Sequence, residues 1–345
     1  MIQAKTTPEV SVIIPSYNSS KTVVSAVESV LAQGLPGVEI IIVDDGSTDG
    51  TEHVLADYVR SGIIRYFKQQ NSGPAAARNL GIRKAEGEYV CFLDADDTLQ
   101  KNSIRDRLSV LRKYPELGLV FTDFRKVVQK NGTQTVWREN DLSSVGFLEK
   151  IAFDSIKARD GDIYIFSKKI FYELVLFCFI WTGTVMIPRK VFSEIGYFDE
   201  ELRIAEDHDL WLRIAGRYEI CFRSLNTATY ILHDGGITKN IPLYYDSSIK
   251  VRSRYLDPHY ELPVEYVRRL KKQLSDFFFI KGYYFYNLGE FDKAGREFRK
   301  SIAGGRWELR CVLYYLLTFL PAPAIQLVRR TKQCISPGKS CEEQA

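Results

Sequence analysis

The stretch Leu93-Asp94-Ala95-Asp96-Asp97 places carboxylates at alternate positions directly after an apolar run, Tyr89 to Leu93. Side chains spaced this way can converge on one hard divalent cation. Mg²⁺ and Mn²⁺ prefer oxygen ligands and leave positions for phosphate oxygens and water. A helix cap followed by a solvated turn has the same composition, so the motif alone leaves both meanings open. A second acidic pair, Asp44-Asp45, ends the run Val38 to Val43, and Arg78 lies between the two clusters. The planar fork of Arg78 could face a diphosphate, or it could pair with one of the aspartates. Glu206-Asp207 opens a helical pattern, where carboxylates also complement the helix macrodipole.

These residues need elements to hold them. Val10–Pro15, Val38–Val43, Ile63–Phe67, Tyr89–Leu93 and Leu119–Phe124 are short apolar, often β-branched runs that predict strands. Helical periodicity fills the intervals, over Val23–Leu31, from an Asp49 cap to about Val59, from Pro74 to Ala85, and from Lys101 to Tyr114. Continuous apolar strands alternating with helices predict an α/β fold with a mainly parallel sheet sandwiched by helices. Ligands of such sheets sit at the carboxyl ends of strands, where Ser16-Tyr17-Asn18, Asp44-Asp45 and Asp94–Asp97 fall. Farther on, Asn131-Gly132 suggests a hairpin turn, Phe179–Ile187 a strand, Glu206–Ala215 a helix, and Ile220–Phe222 and Ala228–Leu232 two short strands. Beyond about residue 257 the pattern is all-helical. Leu288-Gly289-Glu290-Phe291 with Ala294 and Phe298 echoes one tetratricopeptide-like helix pair. The expected domains are therefore 1–257 and 258–345.

In this order, Val12–Asn18, Ile42–Thr51, Asn71–Asn79 and Glu86–Asp97 resemble the family 2 glycosyltransferases. The resemblance runs over residues 9 to 235. It implies a GT-A fold, a nucleotide-diphospho-sugar donor (UDP- or dTDP-linked), a divalent cation, Mn²⁺ or Mg²⁺, and inversion at the anomeric carbon. By the same resemblance Pro15, Tyr17 and Asn18 form the first nucleotide loop. Asp45 contacts the base, and Arg78 lies near the base and diphosphate. Asp96 holds the metal, with Asp94 on the ribose or the metal shell. Gly196–Glu200 and Glu206–Arg213 match the acceptor-side region, with Asp207 as general base; Glu206 and His208 are its neighbours, His208 being neutral or acceptor-facing. Trp181 matches the acceptor cleft, where it could stack on a sugar, and is equally at home in a core. His233 matches a family histidine that reaches the metal or diphosphate, or is a surface residue; imidazole suits Mn²⁺ better than Mg²⁺. The Gln-x-x-Arg-Trp segment of processive synthases is absent, since Trp307 follows Gly305-Arg306 without the leading Gln. Transfer of single sugars is expected, in the synthesis of a polysaccharide, glycan or glycolipid, with a sugar or lipid-linked sugar as acceptor.

The chain has 345 residues, and 47 Lys+Arg against 43 Asp+Glu give a formal charge of only +4, too balanced to imply a nucleic-acid partner. Six cysteines without metal-site spacing read as buried thiols of a reducing compartment. Met1–Glu9 lacks an apolar signal core, which makes a cytoplasmic chain the expectation. Residues 311–328 are uncharged but broken by Pro321 and Pro323, and Arg306, Arg310, Arg329, Arg330 and Lys332 flank them. The segment 306–332 is either packed helix or a peripheral contact with the inner face of a membrane. Two other functions compete. A sugar nucleotidyltransferase would want a Gly-rich phosphate loop where Pro15–Ser20 stands, and a non-catalytic sugar-nucleotide-binding or scaffolding protein would not require Glu206-Asp207. A dehydrogenase is disfavoured because no GxGxxG follows the first strand.

Overall fold

The computed structural model describes residues 7–130, 133–232 and 239–320, in two compact units, Met1–Lys239 and Asn240–Ala345. This division lies upstream of residue 257 because Ile241–Ser253 is a helix that groups with the later helices. Tyr245 packs on Phe277 at 5.1 Å between ring centres, and Lys281 donates to Asp246.

The apolar runs of the first unit form strands β1 (Val10–Ser16), β2 (Val38–Asp44), β3 (Ile64–Lys68), β4 (Tyr89–Phe92) and β5 (Thr98–Leu99). They are followed by β6 (Leu119–Lys130), β7 (Thr133–Arg138), β8 (Ile156–Asp160), β9 (Ile163–Phe166), β10 (Met186–Pro188) and β11 (Ile220–Leu232). All belong to one sheet in the order β3-β2-β1-β4-β10-β6-β11-β9-β8, with β5 on β11 and β7 on β6. The pairs β1–β2, β2–β3, β1–β4 and β6–β11 are parallel. β10 runs antiparallel to β4 and β6, so the sheet is parallel in its first half and mixed beyond. Val12, Ile13, Ile14, Ile41, Ile42, Val43, Val90 and Phe92 are wholly buried, as strands covered on both faces require. The chain order reverses between β1 and β4, and this switch point opens a crevice at their carboxyl ends.

Two segments depart from the expected strands. Only Met186–Pro188 of the Phe179–Ile187 region joins the sheet, while Thr182–Thr184 is a single 3₁₀ turn. The cause is Arg107, fully buried on the Ser103–Lys113 helix, which donates to the carbonyls of Val185 (2.8 Å) and Gly183 (3.4 Å). Backbone acceptors are thus satisfied by a side chain and not by a neighbouring strand. The two short strands expected between 220 and 232 are one, β11, with register shifts on either side of Asn226. The Pro74–Lys84 helix lies tightly on β1. A Cβ at Gly81 would come within 2.3 Å of Ile13 Cγ2, so glycine permits that approach. The turn expected at Asn131-Gly132 lies outside the described residues, and β6 and β7 pair antiparallel on either side of those positions.

In the second unit Val264–Leu288 and Phe291–Ala303 form the helix pair, turned at Gly289 with φ +82°. Phe279, Tyr286, Ala294 and Phe298 pack with Cys311 and Tyr314 of the helix Leu309–Leu317. The opposite side of that helix exposes Leu309, Leu313 and Leu316. Among the described residues no helix is long and apolar enough to cross a membrane. Residues 321–332 of the expected interfacial segment lie outside them. Cys91, Cys221 and Cys311 are buried free thiols, whereas Cys178 is exposed.

Candidate active site

A cavity of about 540 Å³ opens at the carboxyl ends of β1, β2 and β4. Pro15, Tyr17 and Asp45 line it from the first two strands, Asp94 and Asp96 from the loop after β4, and Arg78 from the Pro74–Lys84 helix. Trp181, Thr182, Glu206, Asp207 and Tyr230 line it as well. The acidic groups expected to share a site, far apart in the chain, therefore do share one hollow.

Asp45 is 4% exposed, and its carboxylate holds the neighbouring loop. Oδ1 accepts from Gln69 Nε2 (2.7 Å) and Ser72 N (2.8 Å), and Oδ2 accepts from Gly73 N (2.8 Å). Its neighbour Asp44 faces inward, accepting from Ser47 N at 2.7 Å and from the Tyr66 hydroxyl. Tyr17 is half-exposed at the cavity wall. Asn18, at φ +50°, lies outside the wall and locks two loops together: its amide donates to Ser47 Oγ, and its Oδ1 accepts from Thr48 N, both at 2.9 Å.

Arg78 is 5% exposed and spans the cavity floor. Nη1 donates to Glu206 Oε1 (2.6 Å) and Nη2 to Asp94 Oδ1 (2.7 Å). Burial opposes its charge, yet Asp94 and Glu206 keep its pKa above the ordinary value. Next to it, Asn79 exchanges hydrogen bonds with the backbone of Phe198 and donates to Glu200 Oε1 (2.8 Å). One helix thus ties the acidic loop after β4 to the segment that precedes Glu206.

Asp207 stands at the start of the helix Glu206–Arg217. Its Oδ1 accepts from the His208 amide (2.7 Å) and its Oδ2 from Thr182 Oγ1 (3.1 Å). Burial raises its pKa; Arg78 and the two donors oppose the rise. Burial pushes Glu206 up to about 7 against the pull of Arg78, with the Asp207 charge adding to the rise. Trp181 rests between Phe124 and Tyr230, at 4.9 and 5.0 Å between ring centres, and presents its remaining surface to the cavity. His208, expected on the acceptor side, turns inward instead. It is 1% exposed, with Nε2 at 2.7 Å from the Leu174 carbonyl oxygen, because successive helical residues point about 100° apart.

The carboxylates of Asp94 and Asp96 supply oxygen donors to the cavity, which suits a hard cation. Among the described residues no group of three His, Cys, Asp or Glu side chains could enclose a metal. A cation held there would need substrate oxygens or water to complete its shell. Asp97 lies beneath them, 1% exposed, with Oδ1 accepting from Ile231 N (2.8 Å) and Oδ2 without a partner among the described residues. Burial and the charges of Asp96 and Asp94 raise its pKa well above the carboxylate range. It pins the end of β11 to the acidic loop. His233 lies outside the described residues. Thr182 stands in the Trp181-Thr182-Gly183 segment that resembles the acceptor cleft but has no role of its own in the sequence, and Arg203 belongs to no motif. Thr182 directly follows Trp181, which could have pointed to it, whereas Arg203 has the composition of any solvated turn.

The family model described as Glycosyl transferase family 2 matches residues 11–196. An uncharacterized glycosyltransferase of Rickettsia felis is 36% identical over 61% of this chain and 31% of its own length. The Escherichia coli chondroitin synthase is 39% identical over 72% of this chain and 32% of its own length. The chain thus spans about a third of each. The crystal structure of Staphylococcus aureus TarS 1-349 in complex with UDP-GlcNAc has a TM-score of 0.56 at 18% identity, covering 93% of this chain and 87% of that one.

Proposed function

The chain belongs to glycosyltransferase family 2, and from that premise we propose that it transfers a sugar from a UDP- or dTDP-linked donor to an acceptor hydroxyl, with inversion and with help from Mn²⁺ or Mg²⁺. The observation that carries this reading is the single cavity shared by Asp94, Asp96 and Asp207. Pro15, Tyr17 and Asp45 bind the nucleotide end of the donor. Asp96, with Asp94 beside it, would hold the cation, which would supply Lewis-acid stabilisation of the departing diphosphate. Asp207 accepts the acceptor's hydroxyl proton as the new bond to the anomeric carbon forms and the bond to the diphosphate oxygen breaks. One displacement of this kind inverts the centre. Arg78, between Asp94 and Glu206, keeps the two flanks in register. Trp181 and Glu206 belong to the acceptor side.

The UDP-GlcNAc bound by TarS and the polysaccharide named for the E. coli relative support a UDP-linked donor and a glycan, polysaccharide or lipid-linked sugar acceptor. Exposed Leu309, Leu313 and Leu316 support peripheral contact with a membrane. Calorimetry of UDP with Mn²⁺ tests the donor side. Asp96→Asn should abolish the Mn²⁺-dependent part of binding, and unaltered affinity would refute the metal assignment. A screen of nucleotide-sugars for metal-dependent thermal stabilisation would then name the donor.

A further inference from the structure

We propose that Arg203 is a specificity-determining residue that receives an anionic group, a carboxylate or a phosphate, on the acceptor; the proposal rests on Asp207 being the base of the transfer site. Arg203 belongs to the loop that leads into the helix Glu206–Arg217. Leu202 and Ile204 on either side are 2% and 6% exposed, so they fix the loop in the core. The Leu202 amide donates to the Asp199 carbonyl at 3.1 Å, and Ala205 is held left-handed at φ +64°. On this fixed pedestal Arg203 is exposed and lines the cavity.

The charges around it are already committed. Arg78 is divided between Asp94 and Glu206, and Asp207 is occupied by the His208 amide and by Thr182. Among the described residues Arg203 has neither an ion pair nor a hydrogen bond, although two carboxylates follow it closely in the chain. A neutral acceptor hydroxyl needs only the base. An anionic acceptor would meet the carboxylate of Asp207 and would need a compensating cation on that flank. A guanidinium offers a two-pronged fit to carboxylate or phosphate. Arg203 is carried by the same segment as the base and not by the acidic loop after β4, which assigns it to the acceptor. Lys239 lines the same cavity and adds positive charge.

The test compares methyl β-D-glucuronide, glucose 6-phosphate and neutral methyl β-D-glucoside as probes, with UDP and Mn²⁺ present. Saturation-transfer NMR would read them on the wild type, Arg203→Ala and Arg203→Lys, and calorimetry would follow UDP alone. The wild type should prefer an anionic probe. Arg203→Ala should weaken that probe about tenfold or more while leaving the glucoside and UDP unchanged, and Arg203→Lys should retain part of the preference. Equal binding of all probes, no binding of either anionic one, or a preference that survives Arg203→Ala overturns the proposal. Weaker UDP binding by Arg203→Ala also overturns it, by moving the guanidinium to the donor diphosphate. A wild type that binds neither UDP nor dTDP removes the underlying transfer-site reading, and this proposal with it.

Discussion

Asp207 is held by two donors on opposite oxygens, and only one of them, Thr182, is a side chain. A hydroxyl that donates to the ionised carboxylate lowers its pKa and fixes its direction. Burial works the other way and leaves the Asp207 pKa above its ordinary 3.8. A base must be ionised, so transfer should fall as pH drops through that raised value. Thr182→Val removes a donor to the charged form. The acid limb of the pH–rate profile should then move to higher pH, with kcat lower by about tenfold, the size of one charge-assisted hydrogen bond. Thr182→Ser should restore both. A limb that stays in place would mean that Thr182 only packs.

The turn that carries Thr182 depends on Arg107, whose Nη1 takes the carbonyls of Gly183 and Val185 and whose Nε and Nη2 hold Ser103. Arg107→Leu leaves buried carbonyls without donors and should cost about 2–4 kcal/mol, read as a lower denaturation midpoint. Arg107→Lys should recover part of that stability. The element scale also explains what the sequence made legible. The parallel strands were readable because β-branched runs between helices have few alternative meanings, and the acidic clusters fell at their ends. The Thr182–Thr184 turn was not, since an apolar run does not reveal that a distant arginine satisfies its carbonyls. His208 reads as neutral or acceptor-facing for a similar reason: adjacency to Asp207 in sequence does not say which face of the helix meets the cavity, and the structure turns it inward. β11 reads as two strands because the mostly polar stretch Arg223 to Thr227 interrupts the apolar pattern, where the register with β6 shifts on either side of Asn226.

At the scale of the whole molecule, the helical unit has its own aromatic core but leaves Leu309, Leu313 and Leu316 in solvent. If that stripe meets a membrane, Leu309→Ser, Leu313→Ser and Leu316→Ser together should reduce co-sedimentation with phosphatidylglycerol vesicles while UDP binding persists. Unchanged sedimentation would assign the contact elsewhere. The first unit brings residues at the ends of β1 and β2, the loop after β4 and the Glu206–Arg217 helix to one hollow, and this convergence underlies the account. Its most direct test is Asp207→Asn, with UDP affinity and sugar transfer from the donor that the nucleotide-sugar screen names measured side by side. The account predicts unchanged UDP affinity and transfer lowered by about 10²–10⁴, the contribution of a general base. Transfer at the wild-type rate would contradict it.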